Sequence, residues 1–153
     1  MTTLAVTSIT NFILASELFF LAGLMVKTPK ARFSAAWFWA GAMFALATSA
    51  LIGGIDHGFV EQAGLPRYFI QRPNWVVVGI AVFCLVLATA RQFFPASWLR
   101  PVLLLATTQF VVYIVAVLLV GDFRVVILDY VPVMLLCWPW RPSGFATARA
   151  RGS

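Results

Sequence analysis

All 11 Lys and Arg of this chain fall outside five apolar runs, at about residues 4–26, 34–59, 75–90, 102–120 and 125–140. A helix needs roughly 20 apolar residues to cross a hydrocarbon layer about 30 Å thick, and most of these runs are near that length. Inside lipid a spanning segment must satisfy its own backbone polar groups, which a helix does within one segment. The reading is therefore an all-α polytopic membrane helical bundle of about five transmembrane helices. Composition agrees: 62% of the 153 residues are hydrophobic and 10% charged, with a mean hydropathy of +0.95. Too few polar side chains exist to cover a water-exposed surface, and disorder is excluded for the same reason.

The connecting segments set the order. Lys27-Thr28-Pro29-Lys30-Ala31-Arg32 ends the first run. A cleaved signal peptide is the rival for that run, disfavoured because Met1-Thr2-Thr3 carries no basic residue and Glu17 breaks the apolar stretch. A longer polar connection is expected over Val60 to Asn74, and an interfacial turn over Phe93 to Pro101. Gly121-Asp122-Phe123-Arg124 reads as a tight turn that makes the fourth and fifth segments antiparallel neighbours. The fifth, with Asp129, Pro132 and Pro139, is short enough to be tilted, kinked or partly interfacial. Residues 141–153 read as a basic flexible tail.

Basic residues beside spans record orientation. With five passes and the N-terminus outside, eight of the 11 fall inside (Lys27, Lys30, Arg32, Arg91, Arg100, Arg141, Arg149 and Arg151), leaving Arg67, Arg72 and Arg124 outside. The expected topology is N-out/C-in, in a bacterial inner membrane with the tail cytoplasmic. The net charge of +6 does not imply nucleic acid, because the charges are scattered and form no basic helix. Trp75, Trp98, Trp138 and Trp140 lie near expected span ends, where indole prefers the headgroup layer.

Ionisable groups within a span cost roughly 3 kcal/mol at its centre, so each calls for a partner or a task. The candidates for ligand binding or proton handling are Glu17, Asp56, His57, Gln109, Tyr113, Asp129 and Tyr130. Counting depth at 1.5 Å per residue puts Asn11, Asp56, His57, Asp129 and Tyr130 in the outer third of the membrane. Their convergence would make a hydrated acidic pocket; interhelical hydrogen bonds or a place at the headgroup boundary are the alternatives. In the second run Gly41, Ala45, Ser49, Gly53 and His57 recur every four residues, a small-residue seam that lets another helix come close.

His57 is the sole histidine. A structural role, proton handling with Asp129, and single axial ligation of a tetrapyrrole all remain open. A catalytic zinc site would need further ligands that only carboxylates could supply. No nucleophile elbow or phosphate loop is present. No catalytic residue and no metal site is expected.

Two stretches carry a resemblance: Gly53-Gly54-Ile55-Asp56-His57-Gly58-Phe59 and Asp122-Phe123-Arg124-Val125-Val126-Ile127-Leu128-Asp129-Tyr130. They resemble a family of small multipass membrane proteins with Gly-Gly-x-x-His-Gly-Phe and Asp-Phe-Arg-x-Val-Ile-x-Asp-Tyr elements. That resemblance brings no activity, but it implies a site formed by His57, Asp122, Arg124, Asp129 and Tyr130. More distantly the chain is similar to the alkaline ceramidase and progestin-receptor group, whose helix end carries Ser-x-x-x-His. Here Gly53 stands at the serine's place and the second histidine pair is missing, so neither zinc nor hydrolysis is implied. The Trp-rich outline is also similar to the tryptophan-rich sensory proteins, but their Trp-x-Pro-Pro element is absent.

The function expected from the sequence is that of a non-enzymatic integral membrane protein. It would be an accessory subunit of a larger membrane complex, or a homo-oligomer, or a binder of an apolar ligand such as lipid, quinone or pigment. A tetrapyrrole, quinone or carotenoid is compatible with the composition but not required by it. The alternatives are a small oligomeric proton-coupled transporter, and a membrane enzyme using His57 with Asp129.

Overall fold

The computed structural model describes residues 3–27 and 32–137, with side chains described to residue 131. These residues form five helices and no strand: α1 (Thr3–Lys27), α2 (Ala35–Ile55), α3 (Tyr68–Phe93), α4 (Ala96–Val120) and α5 (Phe123–Cys137). A π-helical turn, Asp56–Val60, continues α2. Four helices, with the π turn counted into the second, are long and apolar enough to cross a membrane. Helix α5 has 15 residues, or about 22 Å at 1.5 Å each, short of a full span on its own. Residues 138–140 of the expected fifth run, and the tail 141–153, lie outside the described residues.

Successive helices run in opposite directions, giving the bundle two ends. The start of α1, the π turn, the start of α3 and the α4–α5 turn share one, called the π end below. The end of α1, the start of α2, the end of α3 and the start of α4 share the other, the basic end. Helix α3 packs on α2, α4 and α5, while α1 packs on α2 and its π turn. The arrangement is a row that widens into a three-helix corner.

Two helix starts differ from expectation. Helix α3 begins at Tyr68 rather than near Trp75, so the connection after the π turn shrinks to residues 61–67. Helix α4 begins at Ala96, which absorbs most of the expected interfacial turn. In both, a proline sits at the sixth helical position, Pro73 and Pro101. Each removes one backbone donor near a helix start, close enough to the end for water to serve the orphaned carbonyl. Polarity ends the part of a helix that lies in hydrocarbon, not the helix itself.

Packing relies on small side chains, as expected where lipid is as apolar as the core. Ala42, Ala47, Ala81 and Ala88 are fully buried. A Cβ at Gly41 would meet Cys84 Sγ of α3 at 3.5 Å, whereas one at Gly53 would meet Asn11 of α1 at 3.3 Å. The seam of Gly41, Ala45, Ser49 and Gly53 thus turns from one neighbour to the other along α2. Closer still are Gly54, where a Cβ would lie 2.8 Å from the Phe12 ring, and Gly58, where it would collide with the Ser8 hydroxyl. Phe19 and Phe44 meet edge to face at 5.4 Å farther along the same contact. Gly121 closes α4 in the left-handed region (φ 63°), and Asp122 Oδ1 accepts from Arg124 N at 2.9 Å to start α5.

Candidate functional site

The π turn gathers the densest polar cluster of the described residues. Within it the backbone bond from Glu61 N to Asp56 O spans five residues at 2.8 Å. Such widened turns break the helical ladder and recur at functional positions. Beside the break, Ser8 of α1 donates its hydroxyl to the Gly54 carbonyl at 2.8 Å, in a buried contact. Glycine at 54 and 58 admits α1 to that distance; any larger side chain would hold it off.

Asp56 is 5% exposed. Arg67, from the loop before α3, grips it side-on: Nε to Oδ1 at 3.0 Å and Nη2 to Oδ2 at 2.6 Å. The remaining nitrogen, Nη1, reaches Glu61 Oε1 at 2.7 Å. Glu61 Oε2 lies 2.6 Å from His57 Nδ1. With its amide oxygen turned toward the guanidinium, Gln71 of α3 accepts from Arg67 Nε at 3.2 Å and Nη2 at 3.1 Å. Arg67 stays protonated, its pKa raised above the ordinary guanidinium value chiefly by the hydrogen bond to Asp56 and, through their charges, by Asp56 and Glu61. The fork geometry suits a planar guanidinium and no other side chain.

The proton inventory follows from these contacts. At 2.6 Å from a carboxylate oxygen, Nδ1 of His57 is the donor to Glu61, so Nε2 is the ring's free nitrogen for exchange. The cluster is neutral with His57 protonated and carries one negative charge otherwise. His57, 30% exposed at its side chain, can present Nε2 to water, a ligand or a partner.

Sequence reasoning singled out Asp56 and His57 but missed Glu61, Arg67, Gln71 and Ser8. The i,i+4 spacing of His57 and Glu61 was a readable signal for one pair. Nothing in the pattern announces Arg67, because a loop residue's reach has no periodicity.

The other candidates lie elsewhere. Asp129 accepts from Gln109 Nε2 at 2.9 Å, across the α4–α5 contact. Both line a cavity of about 10 Å³ with Gly79, Val82 and Phe83, the scale of a single water. Tyr113 packs over Gly79 and donates to the Trp75 carbonyl at 2.7 Å. Tyr130 packs against Ala42, Val82 and Leu85; Ala42 is about 21 Å along the helix from Asp56. Glu17 is exposed and has neither hydrogen bond nor ion pair among the described residues. Asp122 and Arg124 stay with each other at the α4–α5 turn, 3.9 Å apart. The expected single pocket of Asn11, Asp56, His57, Asp129 and Tyr130 is therefore divided between two regions. The carboxylate partner of His57 is Glu61, not Asp129.

Among the described residues no three His, Cys, Asp or Glu side chains gather as metal ligands. A second cavity, of about 160 Å³, lies at the basic end. Both are smaller than the roughly 300–1,000 Å³ of pockets that enclose cofactors.

No curated protein and no solved structure matches the chain. One family model does match, over residues 6–141, which takes in the ion-pair cluster and all of the described helices but the first three residues of α1. The chain belongs to DUF6962, a family of unknown function.

Proposed function

We propose that this protein is a non-enzymatic subunit of a larger membrane assembly, docked through the free face of α1. The carrying observation is Glu17: a carboxylate about 21 Å from the start and about 15 Å from the end of a spanning helix, exposed and without a hydrogen bond or ion pair among the described residues. Facing lipid, such a group costs several kcal/mol; against a partner helix with a cation or hydrogen-bond donor at that depth, the cost falls. Helix α1 touches one neighbour, and Ile13, Phe20 and Leu24 flank Glu17 on the exposed side. The face is apolar with one polar anchor, the pattern of a helix–helix interface in a bilayer. In this reading the chain is N-out/C-in and α5 completes the membrane domain on the far side of α3.

The test is photo-crosslinking from position 13 or 20, compared with position 104 on α4, in native membranes. Adducts to another membrane protein are expected from α1 alone and should disappear in Glu17→Leu. A bare monomer in native mass spectrometry, with no adduct from either helix, would reject the proposal. An adduct of twice the chain's mass would make the partner a second copy.

A further inference from the structure

We infer that the basic end carries a binding site for an anionic phospholipid, with Arg91 and Arg100 taking the phosphate and the cavity beside them taking part of an acyl chain. The cavity of about 160 Å³ is lined by Phe38, Leu87, Ala90, Leu99 and Leu103, with the two arginines among them. It is too small to enclose a whole cofactor but suits a chain segment whose remainder lies in the bilayer. The walls come from three helices: Phe38 from α2, Leu87 to Arg91 from α3, Leu99 to Leu103 from α4.

Charge decides the ligand. The five acidic residues are Glu17, Asp56, Glu61, Asp122 and Asp129, and none stands at the basic end. Among the described residues neither arginine has an ion-pair partner. Arg91 is held instead over the Phe38 ring, 5.8 Å from its centroid, which leaves its hydrogen-bonding nitrogens available. Arg100 lies in the second turn of α4, whose N-terminus has no side-chain cap and so adds favourable dipole for an anion. Phe33, Trp37, Phe93, Phe94 and Trp98 are exposed at the same end, as in an interfacial aromatic belt, which sets the arginines at headgroup depth. Basic pockets between helices at this depth match anionic headgroups.

The inference needs the chain to lie in a bilayer but not the docking of α1, so either can fail alone. The experiment reconstitutes the full chain in phosphatidylcholine vesicles. It compares the motionally restricted fraction of spin-labelled phosphatidylglycerol with that of spin-labelled phosphatidylcholine. A preference on the order of tenfold is expected for the anionic lipid. The double substitution Arg91→Gln, Arg100→Gln should bring it close to one. Leu103→Phe, which fills the cavity and keeps both charges, should reduce it at least threefold, while Arg32→Gln should leave it unchanged. Equal restriction of the two lipids overturns the inference, as does a preference untouched by Leu103→Phe, which would assign it to diffuse charge. Loss of the preference in millimolar inorganic phosphate overturns it too, because the site would then hold the anion without the lipid.

Discussion

The two ends of the bundle treat arginine in opposite ways. At the π end, Arg67 is locked by Asp56, Glu61 and Gln71, and Arg124 lies beside Asp122. At the basic end, Arg91 and Arg100 meet an aromatic ring and an apolar cavity but, among the described residues, no carboxylate. Arg67 at one end holds its own chain together, whereas Arg91 and Arg100 at the other have no ion pair among the described residues. The same residue type thus serves the fold at Arg67, while at the basic end its role is the lipid contact inferred above.

Substitution should separate the two ends. Arg67→Ala leaves a buried Asp56 and a nearby Glu61 without their cation. Breaking a fully buried pair costs about 3–5 kcal/mol, and Arg67 is 28% exposed, so a loss of roughly 2–4 kcal/mol is expected, read as a lower unfolding midpoint in micelles. Gly58→Ala comes next. Its Cβ would strike Ser8, and forcing α1 away should cost about 1–3 kcal/mol in the same assay; a lower disulfide yield between cysteines introduced at facing positions of α1 and α2 would show where. Ser8→Ala removes the donor to the Gly54 carbonyl and should cost about 0.6 kcal/mol, the average for interhelical hydrogen bonds in membranes. Arg91→Gln should change stability by less than about 0.5 kcal/mol, as exposed substitutions generally do. If Arg91→Gln destabilised as much as Arg67→Ala, the contrast between the ends would collapse.

The helices were legible because hydrocarbon imposes a length on apolar runs, and four long helices stand where four runs were marked. Their ends were less so. Pro66, Arg67, Arg72 and Pro73 read together as one long connection, yet Arg72 and Pro73 belong to α3. The polar residues there meet water while the helix continues through them. The site was half legible. Gly53-Gly54-Ile55-Asp56-His57-Gly58 pointed to the right helix end, and the glycines proved to admit Ser8 and Phe12 of α1. Asp129 was grouped with His57 by depth and by the family resemblance. Depth can be counted along a sequence; the direction a residue faces around the bundle is fixed by packing, and Asp129 turns to Gln109.

The row-like order of the helices also sets what one copy exposes. With α1 attached to α2 and the three-helix corner at the opposite edge, the described residues make a wall rather than a ring. A wall leaves both of its faces open, and among the described residues α1 and α4 present large apolar side chains outward, Phe20 and Leu104 among them. Those outward faces are where lipid or a neighbouring chain would lie.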